Sequence, residues 1–183
     1  MVAGKHTIVA LVQDKPGVLN RVASMFRRRG FNIASLTVGH SEIPDLSRMT
    51  FVVEGDDATV EQMTKQLYKL IDVVRVSDLS EEEIVVREMA LIKVRANTQT
   101  RNEVIQLVSI FRANIIDVAP DSLVIEVTGD EEKIESLYEM LKTFGVLEVM
   151  RTGRVAMVRG GGKNQGGKAR GRRDGAASGG TDA

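Results

Sequence analysis

The apolar positions in the first half of the chain follow strand and helix periods in alternation. Residues 6–13 (His-Thr-Ile-Val-Ala-Leu-Val-Gln) form an apolar run of strand length. Beyond Pro16, residues Val18, Leu19, Val22, Ala23 and Phe26 recur at the spacing of one helical face, which predicts a helix with that face buried. A second strand is expected at 32–40 and a polar break at Glu42-Ile43-Pro44-Asp45. A third strand follows over Ser47 to Val53, closed by Gly55-Asp56-Asp57. Val60, Met63, Leu67 and Leu70 then mark a second helix, and Val73 to Val76 a short fourth strand. The order is βαββαβ, the split arrangement in which an antiparallel sheet carries both helices on one face.

After the acidic joint Asp78-Leu79-Ser80-Glu81-Glu82-Glu83 the same order recurs. A strand from Glu88 to Val94 leads to a helix carrying Val104, Leu107, Val108 and Phe111, then to strands at 115–119 and 122–128 around Ala119-Pro120-Asp121. Gly129-Asp130 precedes a helix with Ile134, Leu137, Leu141 and Phe144, and one closing strand is expected over 147–157. A period of about 80 residues is too long for a solenoid repeat and suits two tandem domains. The reading is therefore α+β, two ferredoxin-like βαββαβ domains at 5–79 and 80–158 followed by a tail at 159–183.

Composition narrows the function. The chain has 183 residues, 43% of them hydrophobic, enough for a buried core. With no cysteine, thiol catalysis, disulfides and Cys-ligated zinc are excluded. No apolar run approaches the roughly 20 residues of a membrane span, and the amino end has no long apolar segment, so a cytoplasmic location is expected. Formal net charge is zero but unevenly spread. The tail carries six basic residues against Asp174 and Asp182, a net of +4 that leaves about −4 on the rest. Its Gly-Gly repeats and lack of apolar residues describe a disordered basic end before they describe a nucleic-acid contact.

Candidate chemistry concentrates at Gln13-Asp14-Lys15-Pro16-Gly17-Val18-Leu19, a strand-to-helix turn, and at Asn32, which starts the next strand. Pro16 is preset for a helix start, and Gly17 lets the backbone approach a ligand. The free N–H groups of the first helical turn suit a carboxylate. Asn32 offers both a donor and an acceptor. Together they suit a free α-amino acid, against the plainer reading of a well-formed turn. The second copy begins its helix with Asn97-Thr98-Gln99-Thr100 and has Ile115 near the place of Asn32, so only the first copy carries the constellation. Arg27-Arg28-Arg29 reads as favourable charge at a helix C-terminus rather than a phosphate patch. Glu81-Glu82-Glu83 reads as a solvated linker, and His6 and His40 as isolated histidines rather than a metal pair. No phosphate loop or dinucleotide fingerprint occurs; Arg159-Gly-Gly-Gly-Lys163 is tail composition. An RNA-binding sheet would need exposed aromatics, and aromatic residues are only 4% of the chain, with Phe31 and Phe51 near strands.

Five stretches carry a family resemblance: Asp14-Lys-Pro-Gly-Val-Leu, Arg28-Arg-Gly-Phe-Asn-Ile-Ala-Ser-Leu-Thr-Val-Gly39, Leu46-Ser-Arg-Met-Thr50, Lys65-Gln-Leu-Tyr-Lys-Leu-Ile-Asp-Val-Val74 and Phe111-Arg-Ala-Asn-Ile-Ile-Asp-Val118. Over residues 6–158 the chain resembles the regulatory small subunits of acetolactate synthase (acetohydroxyacid synthase), whose first half is an ACT domain and whose second half is ACT-like. The resemblance implies a non-catalytic subunit of branched-chain amino-acid (valine, leucine, isoleucine) biosynthesis. Such a subunit activates a catalytic large subunit that holds thiamine diphosphate, magnesium and FAD, and makes it sensitive to valine. It implies no cofactor or metal on this chain, no catalytic residue, and no membrane or nucleic-acid partner. It also implies a homodimer through the ACT domains, with valine between the Gly17 loop of one chain and the Asn32 strand start of its partner. Carried over by position, the effector contacts are Asp14, Gly17, Val18, Leu19, Asn32 and Ile33. A stand-alone amino-acid sensor of another enzyme is the alternative within the same fold, and an RNA-binding regulator the alternative outside it.

Overall fold

The computed structural model describes residues 4–160, so the expectation for the tail lies outside the described residues from 161 onward. In the first half, β1 (Gly4–Gln13), α1 (Val18–Arg29), β2 (Ile33–His40), β3 (Leu46–Gly55), α2 (Asp57–Leu67) and β4 (Val73–Asp78) make one antiparallel sheet in the order β2-β3-β1-β4. β1 is central. It pairs with β3 from Gly4↔Gly55 to Gln13↔Leu46, and with β4 from Ile8↔Asp78, with an irregularity at Leu11/Val12. Alternate side chains Ile8, Ala10, Val12, Met49, Phe51 and Val53 face the helices and are buried. Val18, Val22, Met25 and Phe26 of α1 and Val60, Met63 and Leu67 of α2 close over them. The Phe26 and Phe51 rings stack at 5.2 Å, and Phe31 meets Phe26 edge-on at 6.3 Å.

The expected α1 face needs correction. Leu19 is 45% exposed and Ala23 is exposed; the buried stripe is Val18, Val22, Met25 and Phe26, at i, i+4, i+7 and i+8. Gly30 ends α1 in the left-handed conformation (φ 70), and Phe31 N–H donates to the Phe26 carbonyl at 3.1 Å, so the chain turns back at once into β2.

The second half repeats the plan with β5 (Ile84–Arg95), α3 (Arg101–Ile110), β6 (Asn114–Val118), β7 (Ser122–Gly129), α4 (Glu131–Lys142) and β8 (Val146–Arg151), ordered β6-β7-β5-β8. Ala90, Ile92, Val94, Leu123, Ile125 and Val127 form its sheet core under α3 and α4. The Gly-Asp pairs seen in sequence do the same work in both copies. Asp56 accepts the Thr59 N–H at 2.9 Å and Asp130 the Lys133 N–H at 2.8 Å, each capping the helix that follows.

The single closing strand expected at 147–157 is two. β8 stops at Arg151, the chain turns through Thr152-Gly153-Arg154, and β9 (Val155–Val158) pairs with the leading part of β5, from Ile84↔Val158 to Arg87↔Val155. β5 therefore starts at Ile84, four residues before the expected Glu88, because β9 gives its first residues a partner outside the main ladder. Ala156 is buried with Val9 and Leu79, and Ile84, Val86 and Val158 pack on them, so this two-stranded arm covers the outer face of the first sheet. That cover explains why Thr7, Thr50 and Val52, on the face away from α1 and α2, are buried.

An ionic contact crosses the same junction. Lys5 Nζ lies 2.5 Å from Glu131 Oε1, and Arg154 Nη2 3.0 Å from Glu131 Oε2. The hydrogen bond from Lys5, against the opposing effect of burial, holds the Glu131 carboxyl below its ordinary range; the Lys5, Arg154 and Arg151 charges add to this. A depressed folded value stabilises the fold above the unfolded glutamate value of about 4.3 and loses that contribution as pH falls through the folded value. Because Glu131 is nearly half exposed, screening discounts the pair. Glu131→Gln should lower the thermal midpoint at pH 7 by at most about 2–4 °C. The difference from the parent should close toward pH 3 when both are melted across a pH series.

Candidate functional site at the first helix start

The turn before α1 is shaped by Gly17, whose φ of 84 lies in the left-handed region that favours glycine. No side chain caps the helix there. The Arg21 N–H returns to the Gly17 carbonyl at 3.0 Å and the Val18 N–H to Lys15 at 3.3 Å, whereas the Leu19 and Asn20 N–H groups find no acceptor among the described residues. The helix start thus keeps open amides at its positive end. Val18 is 2% exposed, so its side chain belongs to the core and only its backbone borders the turn. Leu19, one residue on, presents an apolar side chain to the exterior beside those amides.

Arg21 and Asp72, not singled out in the sequence, and His40, read there as isolated, frame this turn. Arg21 Nε lies 2.6 Å from Asp72 Oδ2, and Asp72 is buried with its own carbonyl receiving the Gln13 N–H at 2.8 Å. A Cβ built on Gly17 would sit 3.5 Å from Arg21 Nη1, which places a guanidinium against the turn. The pair clamps the first turn of α1 to the loop before β4, which the Gln13 N–H ties to the end of β1, and keeps a cation near the open amides. Asp14, for its part, donates its N–H to the Asp45 carbonyl at 2.8 Å, and its carboxylate lies 3.1 Å from His40 Nδ1. Asp14 and His40 close the same edge of the sheet, the carboxyl ends of β1 and β2. The i, i+4 spacing of Gly17 and Arg21 was the one sequence signal for the cation; Asp72 and His40 had none.

Asn32 and Ile33 lie at the other end of α1. Asn32 is exposed, and Ile33 opens β2 while packing on the first core. Twelve helical residues at about 1.5 Å each separate the two ends by about 18 Å, so one chain does not bring Gly17 and Asn32 together. The two candidate groups therefore stand at opposite ends of α1. β2 is an edge strand of its sheet, and Leu19 and Ala23 expose an apolar strip on the adjoining helix.

The second copy differs at the helix start, as expected, but not at the strand start. Left-handed Arg112 takes the place of Gly30, and the Ala113 N–H returns to Val108 as that of Phe31 does to Phe26. Asn114, not Ile115, therefore stands in the place of Asn32, its carboxamide donating to Glu126 at 3.2 Å. The Asn97 carboxamide accepts the Gln99 N–H at 2.9 Å and the Thr100 N–H at 3.0 Å. Arg101 Nη2 donates to the Ala96, Ala119 and Pro120 carbonyls, which closes the turn on itself. Arg27, Arg28 and Arg29 occupy the last turn of α1, and Arg29 donates to Gln66 at 3.1 Å. His6 lies inside β1, its ring nitrogens 3.0 Å from Ser80 Oγ and 3.1 Å from the Gly55 carbonyl. Phe51 is fully buried toward the helices and Phe31 packs on the same core, so neither offers a stacking surface for RNA. A wide hollow along α4, floored by Phe111 and Met140, is rimmed by Glu132, Glu135 and Glu139; Arg151 and Lys142 pair two of these carboxylates, and nothing there suits an amino-acid carboxylate. Among the described residues, no helix is long and apolar enough to cross a membrane.

Comparison with known proteins agrees over both halves. Residues 8–75 match the AHAS small subunit-like ACT domain, and residues 87–160 match the family described as the small subunit of acetolactate synthase. A probable acetolactate synthase small subunit of Archaeoglobus fulgidus is 57% identical over 156 residues, covering 85% of this chain and 98% of its own length. The acetolactate synthase small subunit of Mycobacterium bovis is 52% identical over 155 residues, covering 85% and 92%. The crystal structure of the acetolactate synthase small subunit from Thermotoga maritima superposes with a TM-score of 0.80 at 50% identity, covering 85% of this chain and 98% of that one.

Proposed function

The chain belongs to the acetolactate synthase small-subunit family, and we propose that it is a cytoplasmic, non-catalytic subunit that raises the turnover of a thiamine-diphosphate-dependent large subunit and makes it sensitive to valine. Magnesium and FAD belong with thiamine diphosphate on that partner. The observation that carries the reading is the pair of half-sites: open amides and Arg21 at Gly17, and Asn32 at the far end of the same helix. A two-fold dimer joined along β2 and the Leu19–Ala23 strip sets each Gly17 loop against the partner's Asn32 and creates two equivalent sites. In that site the Leu19 and Asn20 amides meet the ligand carboxylate, and Asn32 meets the polar head. Asp14, held by His40, supplies the negative charge an ammonium requires, while Leu19 and Ile33 border its apolar side chain.

Activity should divide cleanly between the subunits. The purified chain is expected to form no acetolactate, to raise the rate of its cognate large subunit, and to confer inhibition by valine. Acetolactate formation measured for the large subunit alone, the chain alone and the mixture, each with and without valine, checks all three. An unchanged large-subunit rate in the mixture would refute the assignment.

A further inference from the structure

The two sheets meet through one contact that leaves no slack, the Thr152-Gly153-Arg154 turn between β8 and β9. The turn lies on β2, the strand that leads away from Asn32 and Ile33. The Arg154 N–H donates to Ser35 Oγ at 3.2 Å. Gly153 is pressed so closely on the strand that a Cβ built there would overlap Thr37 Oγ1 and lie 2.8 Å from the Leu36 carbonyl oxygen and 2.9 Å from Ser35 Oγ. The Arg154 guanidinium, on a side chain only 15% exposed, then spans the junction. It lies 3.3 Å from Thr7 Oγ1 on β1, 3.4 Å from Glu88 on β5 and 3.0 Å from Glu131 on α4.

We propose that Gly153 and Arg154 form the joint through which occupancy of the first-domain effector site reaches the second domain. This inference rests on the effector reading above. A close-packed contact between backbones passes on a displacement that a long side chain would absorb. A small movement of β2, drawn by a ligand on Asn32 and Ile33, therefore has to move the turn that sits on Ser35, Leu36 and Thr37. Arg154 passes the movement to β5 and α4, the central strand and a packed helix of the second sheet. The remaining junction contacts are poorer transmitters. Lys5–Glu131 is half exposed, and the Val9, Leu79 and Ala156 cluster has no directional bond. Coupling needs such a specific contact whose arrangement differs between states.

Holoenzyme reconstituted with Gly153→Ala tests the joint, beside valine calorimetry on the full chain. The variant should bind valine within about twofold of the parent and still activate the large subunit. Its maximal inhibition at saturating valine should fall by about threefold or more. Hydrogen exchange gives a readout that stability alone does not move: valine should slow amide exchange at 152–158 in the parent, and in the variant its effect should stop within the first sheet. If Gly153→Ala fails to fold by thermal melting, Ser35→Ala, which removes the Arg154 N–H acceptor and one of the atoms packed on Gly153 without adding any, takes its place with the same expectations. Full inhibition in the folded variant overturns the joint. Loss of valine binding in the variant also overturns it, because Gly153 would then belong to the site itself. Failure of the parent chain to bind valine removes the effector reading instead, and the joint falls with it.

Discussion

A Gly17→Asp chain is expected to remain an activator of its catalytic partner while its valine midpoint rises about tenfold or more, the change that a loss of about 1.4 kcal/mol in effector binding produces. Two effects act at this position. The backbone at φ 84 strains any L-residue, at a cost of roughly 1–2 kcal/mol. The new Cβ would also stand 3.5 Å from Arg21 Nη1, so its carboxylate competes with Asp72 for that cation and occupies the place of the ligand carboxylate. Carboxylate contacts at a helix start are worth about 0.3–2 kcal/mol, and the added charge turns them into repulsion. Gly17→Ala separates the two, since it keeps the strain without the charge. It should lower the thermal midpoint as much as Gly17→Asp while losing less of the valine response. Asn32→Ala needs no such control, because Asn32 is exposed in the single chain and its side chain makes no hydrogen bond among the described residues. Removing it costs roughly 1–3 kcal/mol only where a ligand and a second chain have buried the site. Valine titrations of each reconstituted complex check the set; unchanged midpoints in both Gly17→Asp and Asn32→Ala, with activation intact, would move the effector site elsewhere.

How much of this was legible in the sequence depended on how local the cause was. The order of eight strands and four helices followed from periodicity, because strands such as β1 read as short apolar runs and the helices as one-faced stripes such as Val60, Met63 and Leu67. The Gly-Asp pairs were legible as breaks before each helix, and the caps they form are local, each closed within four residues. β9 was not legible. Leu147 to Met157 reads as one closing strand, and the break at Gly153 comes from a close approach to β2, more than a hundred residues away in sequence. Leu19 was assigned to the buried face because periodicity cannot tell a side chain covered by its own sheet from an apolar one left exposed at the stripe's border. The Gly17 turn announced itself through Pro16 and Gly17. The ions around it did not, since Arg21–Asp72 and His40–Asp14 join residues whose separation follows no repeat. Arg154 is the extreme case: it looks like any surface arginine near a tail, and its role rests on four partners from β1, β2, β5 and α4.

Mixing two chains of weakened valine binding should restore sites of parental affinity, which is the sharpest consequence of a site divided between chains. Let one protomer carry Gly17→Asp and the other Asn32→Ala. In their heterodimer one site joins the substituted loop of the first protomer to the substituted strand start of the second and is doubly damaged. The other joins the native Gly17 loop of the second protomer to the native Asn32 of the first, and is intact. Each heterodimer thus regains one full-affinity site, although both parent homodimers have none. With random exchange of protomers in an equal mixture, about half the dimers are mixed and about a quarter of all sites are restored. The effect is all or nothing, because a single-chain site leaves every protomer damaged in any mixture. The roughly 18 Å between the ends of α1 argues against such a single-chain site. Calorimetric titration of the co-refolded mixture, beside each variant alone, reads the stoichiometry directly. Binding at parental affinity to about a quarter of the sites supports the divided site; no recovery, with mixed dimers shown by native mass spectrometry, would place both halves of the site within one chain.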